Sequence, residues 1–427
     1  MGRLGRWLRT YARASGLQLP LIAQGISKIT VVKKQTGLGV PAVGAGGQIL
    51  RRETSVFTKG VATFDNTELV SHRQDMDSRQ GLQSISGKLT GLLSPATYKL
   101  LVASSLRKDF VAGINSTALT NVTAAVTSGA SGTFTRAAGS YLTDGFKRGD
   151  VVTWAGWTTT GVPNNAHNMV ITSLTATVMT VTTLDGVAIG PKAAGDSVTA
   201  TVKGKKTLAP LTGHTNDYFT FEEFYQDLGQ SEMFTDVKVN TLGVDIPATG
   251  NIKVSFDLMG LARTRGVVQQ LTAPATETTT GVLAAVTKGF LTINGVVVGN
   301  VTGLSVNVAE NLSADGPVIG TNQAPDLAVG KIQVSGQFTA FFQDGTLSDL
   351  FDQESTVGLI VVSTADSTPG SDFVGFSLGR IKVFSDTPDD GEKAVTRTFS
   401  YKAAINSAGG TALQDDQTIL SIQDSAA

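Results

Sequence analysis

Cysteine is absent from the 427 residues, which excludes a disulfide framework, thiolate metal sites and a cysteine nucleophile. Histidine is almost as scarce: His72, His167 and His214 stand far apart, with no Gly-x-Ser-x-Gly, His-Glu-x-x-His or Walker-type pattern anywhere in the chain. Neither an enzyme nor a cofactor or metal site is therefore expected. No apolar run reaches the roughly eighteen residues that a membrane-spanning helix needs. Net charge is also lacking, since 34 basic residues face 35 acidic ones. Bulk attraction thus does not mark a polyanion binder, and a surface without excess charge does little to oppose self-association. Acids are missing altogether from residues 1–52, which carry Arg3, Arg6, Arg9, Arg13, Lys28, Lys33, Lys34, Arg51 and Arg52.

What the chain has is threonine, valine and glycine, a usage that favours strands and turns over helices. It also repeats itself. Residues 68–101 laid without a gap over residues 317–350 share eight identities: Gln74/Gln323, Asp77/Asp326, Gly81/Gly330, Ser86/Ser335, Gly87/Gly336, Thr90/Thr339, Thr97/Thr346 and Leu101/Leu350. The period is too long for a solenoid, so two copies of one domain are expected. In the first copy Ile85, Gly87, Leu89, Gly91 and Leu93 alternate along a strand with one buried face. Ser94-Pro95 then opens a short helix whose stripe is Tyr98, Leu101, Val102 and Leu106. In the second copy Val334, Phe338 and Phe342 repeat the strand, Asp344 caps, and Leu347, Leu350 and Phe351 form the stripe. Ile85, Leu89, Leu93, Val334, Phe338 and Phe342 are the expected duplicated core. Pro247-Ala248-Thr249-Gly250 and Pro388-Asp389-Asp390-Gly391 supply matching turns, since proline presets one dihedral and glycine takes the strained one.

The expected division is a basic arm at 1–25, a first domain at 26–110 and 208–270, a linker at 271–287 and a second domain at 288–427. A small all-β domain at 111–207 interrupts the first. In the arm, Leu4, Trp7, Leu8 and Tyr11 oppose Arg6, Arg9 and Arg13, the pattern of a helix lying on a membrane or on phosphates; a loose arm, or a start upstream of the working protein, is the plainer reading. Residues 53–83 are polar and gather Glu68, Arg73, Asp75, Asp77 and Arg79. They read as a solvated long hairpin loop rather than as metal ligands or an acid–base pair, and long loops in compact domains are usually functional, here for contact with a neighbouring subunit. In the insert, Trp154 and Trp157 are candidates for a surface that stacks a glycan, against a core role for at least one of them. The polar stretch after Ala408 reads as an arm on a neighbour or as loose chain.

Lys33-Lys34-Gln35-Thr36-Gly37-Leu38-Gly39-Val40-Pro41, Gln48-Ile49-Leu50-Arg51-Arg52 and Ser84-Ile85-Ser86-Gly87-Lys88-Leu89-Thr90-Gly91-Leu92-Leu93-Ser94-Pro95 resemble the tail tube (major tail) proteins of long, non-contractile-tailed bacteriophages. Phe219-Thr220-Phe221-Glu222-Glu223 and Val239-Asn240-Thr241-Leu242 are similar to them as well. The resemblance implies a β-sandwich with one flanking helix, and with the repeat this makes a mainly β protein of two tandem β-sandwich domains, each with a flanking helix, besides the inserted β domain. It further implies a structural virion protein that self-assembles into stacked rings conducting DNA during ejection. Glu68, Arg73, Asp75, Asp77 and Arg79 would then lie in a loop reaching the next ring. Partners would be further copies of the chain, tail-tip, tape-measure and tail-terminator proteins, and genomic DNA passing without sequence-specific binding. The place is the phage tail, assembled in the host cytoplasm, with no membrane. Because single-domain members form hexameric rings, a duplicated chain would form trimers with approximate six-fold symmetry. The alternative is a tail-surface or tail-tip adhesin whose insert holds a host glycan against Trp154 or Trp157.

Overall fold

The structure, a computed structural model, describes residues 22–72, 74, 76–158, 164–284, 289–389 and 392–427. Most of the basic arm, Arg73 and Asp75 lie outside the described residues.

In chain order the first copy begins with β1 (Lys28–Lys34), β2 (Thr54–Phe64), β3 (Arg79–Leu92) and α1 (Lys99–Ser105). The chain leaves through β4 (Val111–Ala112) for β5 (Val122–Ser128), β6 (Ser131–Arg136), a single turn of helix, β7 (Val151–Ala155), β8 (Met169–Leu174), β9 (Val178–Thr183) and β10 (Thr199–Val202). It returns by β11 (Lys205–Leu208), which pairs with β4, and continues through β12 (Phe219–Tyr225), β13 (Gln230–Pro247), β14 (Lys253–Gly260) and β15 (Ala262–Gly266). There follow β16 (Gly289–Ile293), β17 (Val301–Ala309), β18 (Gln333–Phe341), α2 (Thr346–Asp352), β19 (Val357–Thr364), β20 (Phe373–Asp389), β21 (Thr396–Ala403) and β22 (Ser421–Asp424). The protein is mainly β, with antiparallel sheets compatible with a sandwich architecture.

One arrangement occurs twice. The first sheet has the order β1-β12-β13-β14-β3-β2. The second has β16-β19-β20-β21-β18-β17, the same sequence of partners. The hairpin registers agree at the offset that carries Gly87 onto Gly336: Phe57 faces Gly87 in one copy and Val306 faces Gly336 in the other. Leu89 opposes Phe256 as Phe338 opposes Phe399. Even the irregularities match, since β13 bulges just after the pair Val239–Leu258 and β20 just after Val383–Tyr401. Bulges re-aim a strand, so a shared bulge means a shared bend. α1 packs on β13 and α2 on β20. Gly87 and Gly336 are glycine for want of room: a Cβ would lie 2.5 Å from the Phe57 ring in the first case and 2.0 Å from the Ser305 carbonyl oxygen in the second.

Alternation along β3 buries Ile85 and Leu89, and Leu93 follows them into the core; Val334 and Phe338 do the same in the second copy. Phe342 does not, being 46 % exposed beneath the Arg397 guanidinium. The cause is a covering segment present in one copy only. Residues 271–284, expected as a linker with little order, strap the first copy: the Leu283 N–H donates to Leu93 O, its carbonyl accepts from the Ile252 N–H, and its side chain is fully buried. Nothing comparable covers Phe342 among the described residues. The helix also starts later than Ser94-Pro95 suggests. The Ser94 hydroxyl bonds to that of Thr97, and Ala96 has a φ of 64°, so helical backbone begins only at Lys99. Pro388 does not open a turn but lies inside β20, opposite Arg397, whereas Pro247 ends β13.

The strands of residues 122–202 form a separate six-stranded sheet, β10-β7-β8-β9-β6-β5, over its own core. Trp154 and Trp157 lie in that core, 1 % and 5 % exposed, with the Trp154 ring tilted against Phe134 at 4.4 Å. The expected glycan-stacking surface is therefore overturned: β7 alternation turns Trp154 inward, and no aromatic platform remains at either position. The stretch after Ala408 is neither loose nor free. Its strand β22 pairs with both β20 and β11, and the Gln423 side chain exchanges hydrogen bonds with the Val151 backbone. Lys206, between Asp150 and Asp416 at 2.5 Å each, pins the same segment. Burial opposes the Lys206 charge, but the two carboxylates outweigh it and raise its pKa.

Candidate assembly interface

The two copies meet strand to strand. The distal half of β13 pairs with β14 on one edge and with β17 of the second copy on the other. Opposed there are Leu242 and Val308, Val244 and Val306, and Ile246 and Leu304, all buried. Six side chains of that size withdrawn from water contribute on the order of 1.5–3 kcal/mol each before entropy is charged against them. One hydrophobic core consequently runs through both copies.

The polar end of this junction is organised by the bulge. Asn240, the residue it displaces, accepts from the Glu310 N–H at its carbonyl and from the Leu312 N–H at its side chain, both at 2.9 Å. The loop that follows β17 then folds back over the first copy. Asp326 on that loop meets Lys238 at 3.3 Å and accepts from the Tyr218 hydroxyl at 2.9 Å, while Lys238 also donates to Leu327 O and sits over the Tyr218 ring. Ala324 and Leu327 pack beside it on Leu261 and Met259. Burial lowers the Lys238 pKa, against the pull of Asp326. Burial also pushes the Glu310 carboxyl up to about 8, with Arg107 and Lys238 opposing. The cluster ties the two sheets together, because the buried Lys238 loses its carboxylate partner if they part.

Among the strand edges left open in the described residues, two correspond to the two sides of this junction. β2 pairs only with β3. Residues 385–389 of β20 pair only with β21, because β19 and β22 take β20 no further than Ile381. Open edges are templates for a further strand. Exposed apolar side chains accompany them: Val56 and Phe64 on β2, Leu69 on the loop after it, and Phe384 on β20.

The loop residues singled out from sequence are placed as follows. Glu68 and Asp77 are exposed on the β2–β3 loop, Arg79 is exposed at the start of β3, and Arg73 and Asp75 are outside the described residues. Their counterpart at Asp326 is engaged as above. Lys238, Asn240 and Glu310 were not anticipated. The available signal was a charge at Lys238 within the apolar alternation of Val237 and Val239, which marks a buried partner. Among the described residues no group of three His, Asp or Glu is arranged to hold a metal ion, and no helix is long and apolar enough to cross a membrane.

A comparison with curated proteins finds no match. A family model described as phage tail tube protein matches residues 29–403, from the first core strand through the last strand of the second sheet. That span takes in both copies of the repeated sheet, the junction between them and the insert, and on it the chain belongs to the phage tail tube protein family.

Proposed function

We propose that the chain is a structural subunit that assembles into rings stacked as a tail tube, a conduit for DNA during ejection, with no turnover of its own. The observation that carries this is the pair of open strand edges on a unit that already joins its twin by strand pairing. A heterologous contact of that kind closes into a ring when its rotation allows. Two tube domains in each chain, residues 26–110 with 208–270 and residues 288–427, would let three chains supply six. The exposed Glu68, Asp77 and Arg79, with Arg73 and Asp75 of the same loop, remain the candidates for contact with the next ring. The insert, docked on the second copy by β22, would sit outside the channel, where its mass does not block passage. DNA would pass without sequence reading, and tail-tip, tape-measure and tail-terminator proteins would meet the ends of the tube. Its place is the virion, after assembly in the host cytoplasm.

Negative-stain microscopy of the concentrated protein tests the reading. Rings or tubes with three-fold symmetry are expected. A chain that stays monomeric at all concentrations contradicts it. The adhesin alternative is not favoured, because Trp154 and Trp157 are buried.

A further inference from the structure

The junction inside the chain has two sides, each repeated elsewhere in the same molecule. The bulge-anchored equivalence of β13 with β20 places Phe384 at Asn240, Asp386 at Leu242 and Pro388 at Val244. The hairpin equivalence of β17 with β2 places Val61 at Glu310, Lys59 at Val308 and Phe57 at Val306. Both of these second sides are the open edges described above. Resting on the tube reading, we propose that the second copy of one chain joins the first copy of the next through this same junction. Residues 385–389 of β20 run antiparallel to residues 56–60 of the neighbour's β2, with Asp386 opposite Lys59.

The chemistry changes on both sides together. Leu242 against Val308, an apolar pair within the chain, becomes Asp386 against Lys59, a pair of opposite charge. Asn240 and Glu310, two polar residues joined through their backbones, become Phe384 and Val61, two apolar ones. Val244 against Val306 becomes Pro388 against Phe57, apolar as before. Each replacement on one strand thus meets a replacement of its own kind on the other, which a displaced register does not achieve. A shift of two residues would set Lys59 against Phe384 or Pro388. Lys59 has no ion-pair partner among the described residues, while Asp386, its side chain 8 % exposed, holds Arg397 at 2.5 Å and keeps a second, buried oxygen without a hydrogen bond. Phe384, 56 % exposed, has the Lys402 ammonium over its ring.

A second contact follows from the same equivalence. Lys238 recurs as Lys382 and Asp326 as Asp77, so the ion pair that fastens the loop of the second copy to the first would recur between chains as Lys382 with Asp77. In the single chain Asp77 is exposed, and Lys382 meets only the solvent-facing Glu354, at 3.5 Å. Pro388 has no N–H to give the ladder, which discourages indiscriminate strand addition at this edge.

The absence of cysteine makes the test direct. In the full chain, Lys59→Cys combined with Asp386→Cys brings the two thiols directly opposite across the proposed pair. Val61→Cys combined with Asp386→Cys displaces them by two residues, beyond disulfide reach. Under mild oxidation the first variant should give intermolecular disulfides at least about tenfold more than the second. Separately, Lys382→Asp and Asp77→Lys should each weaken assembly, and their combination should restore it. If microscopy shows rings while the Lys59/Asp386 pair fails to cross-link or the displaced pair does so better, this register is wrong and the tube reading stands. If no assembly forms in the unmodified chain, both fall.

Discussion

Glu310→Gln isolates the buried carboxyl at the junction. Its pKa rises from an ordinary 4.5 to about 8, so the folded chain holds a proton that the unfolded chain releases above pH 4.5. The sign follows: the stability present below that value drains away as pH climbs to about 8, after which both states are ionised and the loss is complete. The slope reaches about 1.4 kcal/mol for each step of one in pH, for a ceiling of roughly 4–5 kcal/mol. Glutamine keeps the shape, stays neutral and suffers no such loss. At pH 5 the variant and the parent should therefore unfold in urea at nearly the same midpoint, and at pH 9 the variant should be the more stable, by on the order of 2–4 kcal/mol. A difference between the two that does not change from pH 5 to pH 9 would refute the assignment of a strained carboxyl at this position.

Other consequences are as easily measured. Phe338→Ala removes a ring fully buried and 5.1 Å from Phe399, and a loss of about 3–5 kcal/mol is expected in denaturant titration. Gly336→Ala meets a backbone oxygen whereas Gly87→Ala meets a movable ring; soluble yield and melting temperature should fall more for the first. Lys206→Met leaves the buried Asp150 and the half-buried Asp416 without this cation, which should cost about 3–5 kcal/mol at neutral pH and less in acid, where the carboxylates take up protons. Trp154→Ala should lower the melting temperature of the insert by removing a ring packed on Phe134 and Trp157, and glycan arrays should show no binding for parent or variant alike.

Local pattern was legible because it needs no partner. Alternation along β3 and β18 places Ile85, Leu89, Val334 and Phe338 inward whatever surrounds them, and the gapless repeat set these two strands in equivalent positions. Where neighbours decide, sequence was silent or misleading. Phe342 is exposed although Leu93 is buried, because only the first copy has Leu283 laid over it. Trp154 and Trp157 looked available because aromatic rings favour cores and binding surfaces alike, and only the closure of the six-stranded sheet chose between these. The polar stretch after Ala408 carried no strong strand signal, since four residues gain their stability from β20 and β11 on either side.

The chain by itself determined that it would be β-rich, lacking thiol chemistry, and built twice from one unit, since composition and self-similarity are properties of the string. Tertiary structure alone decided where the bulges fall, which edges stay open and which carboxyl loses its solvent. Those depend on residues far apart in sequence competing for the same space and the same hydrogen bonds.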